Sequence, residues 1–356
     1  MDFRERILTA MEHEEPDRVP VMGLIMDPAT VDRILGRQPA DLVGMLQNPD
    51  LAEGIVSTIN TNEAWNSFYY GNTAGALESA MTLGFDANWT IYAQMKLHRD
   101  PQSALGYAYY DPFGRAWELS RAGDGSTEVN YSRALCPTEE QWEAWVQRNA
   151  ALFDTMVDNT AAFHKRLVEE YGDRILPAGY AAPGIFENSW QPIGFVNFTR
   201  FIYEKPDFVR RVIRFHTDLY LRTMEAVMRS GVEVVLGGDD LGHKTGPMLR
   251  PELIEELLGE SYRRVSELVH RSNRKLIWHS CGNVYKLLDM FIDWGFDGII
   301  TMEPTAGMEL GRVREMVGHR LVLVGNLDVS YLLVKGTREE VEEAVQDLQA
   351  RLDERQ

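Results

Sequence analysis

Cysteine is nearly absent from this chain. Two in 356 residues, Cys136 and Cys281, exclude a disulfide framework and suit a reducing compartment. Positive charge is scarce as well. The 36 Lys and Arg stand against 54 Asp and Glu, a net charge of −18. That balance argues against nucleic acid and against anionic membrane surfaces. The doublets Arg210-Arg211 and Arg263-Arg264 read as solvated helix faces. No apolar run approaches the roughly 20 residues of a membrane span. The first residues are charged and lack the apolar stretch of a signal peptide. Linkers of low complexity and internal repeats are missing too. A single cytoplasmic domain over residues 1–356 is therefore expected, with no nucleic-acid or membrane partner.

What is present is alternation. Apolar runs rich in β-branched residues alternate with helical patterns, the mark of βα units. Seven runs read as parallel strands: Arg18–Met22, Phe85–Ile91, Ile175–Tyr180, Val232–Gly238, Leu276–His279, Gly298–Met302 and Leu321–Gly325. Ser261–Arg271 and Val284–Trp294 are amphipathic, and Thr337-Arg338-Glu339-Glu340 is a capping box opening a last helix. The expectation is a TIM (β/α)8 barrel with its C-terminal end incomplete, since the count stops one strand short of eight. An open barrel edge suits a homodimer. Around Asp111-Pro112-Phe113-Gly114 the pattern breaks, and an inserted β-hairpin over about 105–135 is expected.

Barrel active sites form at the carboxyl ends of the strands. There this chain offers Asp239-Asp240, followed by His243; then His279 and Cys281; then Glu303; then Asp328. Imidazole and thiolate are zinc ligands, and residues at i and i+2 on a strand end share a face. The same residues have plainer uses: a core histidine beside an inert cysteine, a helix cap at Asp328, turn formation at Asp239 and Asp240. Asp239, Asp240 and His243 are the candidate acid–base groups. A second set, Glu128, Glu143 and His164, is a weaker candidate for metal, because His164 also shares a helical face with Val157, Ala161 and Val168. Trp65, Tyr69, Tyr70, Phe186 and Trp190 are candidate walls for a flat aromatic ligand.

Several stretches together resemble the uroporphyrinogen decarboxylase-like superfamily. They are Arg4-Glu5-Arg6-Ile7 with Glu15-Pro16-Asp17-Arg18-Val19-Pro20-Val21, Gly238-Asp239-Asp240-Leu241-Gly242, His279-Ser280-Cys281-Gly282-Asn283, Ala306-Gly307-Met308 and Gly325-Asn326-Leu327-Asp328. The resemblance runs from about residue 3 to residue 345. True uroporphyrinogen decarboxylases carry an arginine-bearing element after the first strand that grips substrate carboxylates. Here that place reads Met22-Gly23-Leu24-Ile25-Met26-Asp27-Pro28, without arginine. The His-x-Cys-Gly element instead is similar to that of the zinc-dependent, corrinoid-linked methyltransferases. Their third zinc ligand is typically a later cysteine, where this chain has Asp328; Asp328 and Glu303 are the contenders. The Glu128/Glu143/His164 spacing resembles a zinc pattern of the ether-cleaving members.

The resemblance implies a zinc enzyme moving methyl from a small methylated substrate, a methoxylated aromatic, to the cobalt of a separate corrinoid protein. No Asp-x-His-x-x-Gly cobalt-ligand motif is found; Asp240 to Gly246 is one residue too long. The alternatives are methyl transfer from a methylcorrinoid to a thiol, a metal-free decarboxylase or lyase built on Asp239 and Asp240, and a binder with a structural zinc site.

Overall fold

A computed structural model describes residues 1–24, 27–38, 41–122, 127–181 and 184–353 of the chain. Two barrel strands come first, β1 (Met22–Gly23) and β2 (Ala87–Ile91). A separate sheet follows, made of β3 (Lys96–Arg99), β4 (Tyr107–Tyr110), β5 (Arg115–Arg121) and β6 (Thr127–Ala134). The barrel resumes with β7 (Leu176–Tyr180) and β8 (Val234–Gly238). A small ribbon, β9 (Gly242–His243) with β10 (Gly246–Pro247), leads to β11 (Lys275–Ser280), β12 (Gly298–Thr301) and β13 (Val322–Val324). The barrel strands neighbour each other in chain order, parallel throughout, with helices between them. This is TIM-barrel topology with seven strands. Seven strands are present as expected, the first shifted to Met22–Gly23 from the expected Arg18–Met22. Among the described residues β1 and β13 are not paired with each other, and no eighth strand joins them.

The period of two along each strand sorts the side chains. Ala87, Trp89, Leu176, Ala178, Tyr180, Val234, Leu236, Ile277 and Ile300 fill the barrel interior. Val235, Leu276, Trp278 and Ile299 point the other way, into the layer of outer helices. Strands buried on both faces are apolar on both, as parallel sheets require.

The helix Phe3–Met11 closes the amino-terminal end of the barrel. Its Ile7 and Met11 enter the interior cluster. Arg6 donates to Asp17 at 2.7 Å and to the buried Asp86 at 2.5 Å, and Arg18 reaches both oxygens of Asp86 at 2.8 Å. Arg4 pairs with Glu233 at 2.6 Å, and Lys275 with Glu12 at 3.1 Å. Asp86, Glu233 and Lys275 all stand where strands begin. The charged opening of the sequence is thus a clamp on the barrel floor.

The inserted segment is larger than the expected hairpin. β3 to β6 form a four-stranded antiparallel sheet, and residues 123–126 within it lie outside the described residues. Ile25 and Met26, in the arginine-free stretch after the first strand, lie outside them too. The inserted sheet shares a second core with the helices Asn62–Thr82 and Ala150–Tyr171. The amphipathic segment near 284–294 is a 3-10 turn, Tyr285–Leu287, running into a short helix, Leu288–Asp293. No helix among the described residues is long and apolar enough to cross a membrane.

Candidate metal centre

Strand parity decides which carboxylate enters the barrel. On β11 Ile277 faces the interior, so His279 does as well, and Cys281 follows one step beyond the strand. On β8 Val234 and Leu236 face the interior. The same alternation carried past the strand end turns Asp240 inward and Asp239 outward. Gly238 lies beside His279 in the ladder, and a Cβ there would press to 2.8 Å from the Cβ of His279. The missing side chain lets the two strand ends close up.

Asp240 Oδ1 lies 3.3 Å from His279 Nε2, and Cys281 Sγ lies 3.5 Å from the same nitrogen. The three ligand atoms all fall within 4.8 Å of one another. Tetrahedral zinc with bonds of about 2.0–2.3 Å separates its ligand atoms by about 3.3–3.8 Å. One imidazole, one thiolate and one carboxylate therefore fit a zinc ion with its fourth position open. Burial, and then the charge of Asp240, push the Cys281 thiol well above its ordinary value, so a thiolate here calls for a cation. Burial also opposes the charge on Asp240. The His279 ring and the Cys281 N–H, at 2.9 Å, outweigh it and hold that carboxyl below its ordinary value.

Backbone contacts fix the Cys281 turn. Gly282 has φ of +80°, and a Cβ on it would meet Gly242 backbone at 2.3 Å, so only glycine lets the loops after β8 and β11 touch. Asn283 N donates to His243 O at 2.8 Å, and its side-chain amide to Ala306 O at 3.0 Å. Gly282 N donates to Glu303 at 2.9 Å. Asn326 reaches the carbonyls of Met302 at 2.6 Å and Met308 at 2.9 Å. The short motifs of these loops are mutual braces.

Asp239 has a different task from its neighbour. It is fully buried and accepts from Phe186 N at 2.8 Å, Glu187 N at 2.9 Å and Tyr262 OH at 2.9 Å. It caps the helix Ile185–Trp190, whose own N-cap is Gly184 and supplies no side chain. Burial pushes its carboxyl up to about 7 against these three donors. Expected as an acid–base group, Asp239 is instead a builder with its acceptors occupied.

Glu187, on the helix that Asp239 holds, was not singled out in the sequence. Burial and the charges of Asp240 and Asp239 push its carboxyl up to about 8. Gln191 donates to Glu187 at 3.0 Å, Arg115 to Gln191 at 2.6 Å, and Arg115 to Asp111 at 2.5 Å. Asp111, Arg115 and Gln191 are all buried. A chain of polar side chains thus runs from the inserted sheet to the barrel mouth. Glu187 follows β7 on the same end of the barrel as the other candidates, and that position was the available signal.

Other expected residues are not brought to the cluster. Asp328 Oδ1 accepts from Ser330 N at 2.6 Å and Tyr331 N at 3.1 Å, which makes it a turn cap. Glu303 accepts from Gly282 N and Thr305 Oγ1 and steadies the loop. The His243 side chain is exposed. Glu128, Glu143 and His164 do not meet. Glu128 is exposed on β6, and Glu143 pairs with Arg211 at 3.1 Å. His164 is buried with its ring nitrogens 2.9 Å from Thr160 O and 2.8 Å from Thr90 O.

The aromatic residues divide in the same way. Trp65, Tyr69 and Tyr70 pack into the second core, with Trp65 Nε1 donating to Ala93 O at 2.7 Å. Phe186 is buried against Phe198, and Trp190 packs on Tyr131 and Phe195. The rings beside the metal-competent cluster are Trp89 and Tyr180, stacked at 4.9 Å, with Trp89 edge-on to His279 at 5.4 Å. His279 Nδ1 and Trp89 Nε1 are buried without partners among the described residues.

Comparison with known proteins agrees with this architecture. The family described as Uroporphyrinogen decarboxylase (URO-D) matches residues 142–356. Among solved structures, a methyltransferase from Methanosarcina mazei superposes with a TM-score of 0.62 at 15% identity, covering 99% of this chain and 90% of that one. At that identity the likeness is one of fold. No curated protein matches the sequence.

Proposed function

Because the chain belongs to the uroporphyrinogen decarboxylase family, we propose that it uses the family barrel as a zinc-dependent methyltransferase. It would move a methyl group from a small methylated substrate, a methoxylated aromatic, to the cobalt of a separate corrinoid protein. The observation that carries this reading is the convergence of Asp240, His279 and Cys281 at the carboxyl ends of adjacent strands. Asp240 takes the place of third ligand that Asp328 and Glu303 contended for. The solved methyltransferase of the same fold lends support.

Zinc held by these three residues would supply Lewis acidity toward the ether oxygen. The remaining work belongs to the chain. The stacked Trp89 and Tyr180 give the site an apolar wall that excludes water and suits a flat ring. Glu187 replaces Asp239 and His243 as the group assigned to meet the departing oxygen. A second observation disfavours decarboxylation of a polycarboxylate. Asp239, Asp240, Glu187 and Glu303 gather at this end of the barrel, and a pocket for many carboxylates needs cations instead.

The test is metal content by mass spectrometry on protein purified without a metal-affinity tag. The wild type should carry about one zinc per chain, and His279→Ala/Cys281→Ala should carry almost none. Methoxyarenes are then assayed with a reduced corrinoid protein. Demethylation lost in the double variant supports the reading; a wild type free of metal overturns it in favour of metal-free chemistry.

A further inference from the structure

A cavity of about 360 Å³ lies between the inserted sheet and the helices Glu139–Arg148 and Ala150–Tyr171. It shares no lining residue with the Asp240–His279–Cys281 cluster. Its size falls within the range of small-ligand sites, and the methyl-transfer reading makes no use of it.

Its chemistry is that of an anion receptor. Lys96 and Arg148 stand on the rim. Neither has a carboxylate within ion-pairing distance among the described residues, in a chain with a net charge of −18. Asp111 is the one acidic residue of the lining, and its carboxylate is already engaged. It accepts from Phe113 N at 3.0 Å, Arg115 N at 3.1 Å, Arg115 Nε at 2.5 Å and Trp117 Nε1 at 2.9 Å. The rim cations therefore keep their field.

Deeper in the cavity lies Gln94, only 5% exposed. Its Oε1 accepts from Asn159 Nδ2 at 3.1 Å and lies 2.7 Å from Tyr92 OH, whose single proton also faces Asn66 Oδ1 at 2.5 Å. That orientation leaves its amide N–H groups without a protein partner among the described residues, and the nitrogen keeps access to solvent. The 22-residue helix Ala150–Tyr171 also begins at the cavity. Its N-cap Asn149 makes no side-chain cap but turns back to Trp145 O at 2.9 Å. The carboxyl end of the helix Glu139–Arg148 meets it at the same residue, so the two helix ends offset each other and the charge of the cavity comes from the side chains.

Flat surfaces complete the lining. Trp145 is fixed by Nε1 donating to Pro112 O at 2.7 Å, with the Arg148 guanidinium 5.9 Å over its ring. His98 and Tyr110 stack at 4.7 Å. We propose that this cavity binds a small aromatic carboxylate, its acid group met by Lys96, Arg148 and the Gln94 amide and its ring by Trp145.

The test is titration with benzoate, followed by calorimetry and ligand-observed NMR, with benzyl alcohol and inorganic phosphate as comparisons. Benzoate should bind saturably at one site per chain, and benzyl alcohol should not. Lys96→Ala/Arg148→Ala should weaken benzoate at least tenfold while melting like the wild type, since both side chains are on the rim. His279→Ala/Cys281→Ala should bind benzoate as the wild type does, so this result stands apart from the fate of the zinc reading. Absence of saturable benzoate binding overturns the proposal, as does binding that survives loss of the two cations or vanishes in the metal-ligand variant. Phosphate binding as tight as benzoate would refute the aromatic part.

Discussion

Asp240 meets His279 across the seam between β8 and β11, Oδ1 to Nε2 at 3.3 Å, although the residue paired with His279 in the ladder is Gly238. The carboxylate reaches the ring from two positions further along, where the strand has ended but its alternation persists. Parallel strands with slanted hydrogen bonds present such offset pairs at the barrel mouth, and each strand thereby contributes a metal-competent side chain to the cluster.

Removing that carboxylate should cost metal, and removing Asp328 should not. Asp240→Asn is expected to lose more affinity than the roughly 10–100-fold typical of a lost outer-shell partner, whereas Asp328→Asn keeps wild-type affinity. Competition with a chromophoric zinc chelator measures both. Equal losses in the two variants would return Asp328 to the ligand set.

Asp239→Ala should act on stability first. It strips the acceptor from two backbone N–H groups and from Tyr262 OH inside the protein. Stranded buried donors cost about 1–3 kcal/mol, so a loss of at least about 2 kcal/mol is expected in urea unfolding. A variant as stable as the wild type would contradict the capping role.

The Glu187 carboxyl carries a signature in pH. In the folded chain it keeps its proton from its ordinary value of 4.5 up to about 8, while the unfolded chain has released it. The folded state then binds more protons, so wild-type stability falls as pH rises through that window. Glu187→Gln removes this loss. Its stability relative to the wild type should climb between pH 4.5 and 8 and level off above. Urea midpoints of the two metal-free proteins across that range give the answer. Parallel curves would mean that Glu187 titrates normally.

Arg115 joins the inserted sheet to the barrel. It is 3% exposed and bonded to both Asp111 and Gln191. Arg115→Ala leaves a buried carboxylate without its cation, a loss of roughly 3–5 kcal/mol. Thermal melting should show a large drop, and Asp111→Asn in the same background should recover part of it. A drop within error of zero would mean that the chain from Asp111 to Glu187 holds nothing together.

The strands were legible because each is a short apolar run bounded by turn residues, and His279 with Cys281 was legible because two rare residue types stood at one strand end. The choice between Asp239 and Asp240 was not. A strand buried on both faces is apolar on both, so its composition hides which side is inward. Val234 and Val235 look alike in sequence and face opposite ways. Glu187 stayed hidden for a related reason. Its helix Ile185–Trp190 is too short for a periodic signal, and Asp239, 52 residues away, supplies its cap. The Trp65–Tyr70 aromatics misled because a core beneath an inserted sheet has the same composition as a ligand pocket.

Two adjacent aspartates with opposite orientations also bear on how such a chain changes over generations. Position 239 is tied to the framework, and drift there is punished by unfolding. The Asp240 side chain reaches His279 and the Cys281 N–H of the candidate ion site, so a histidine, glutamate or cysteine arising there would disturb that turn but leave the barrel standing. Each such replacement alters ligand softness and with it the preferred ion. Under the proposed zinc reading, metal preference can therefore evolve one codon away from a neighbour tied to the framework.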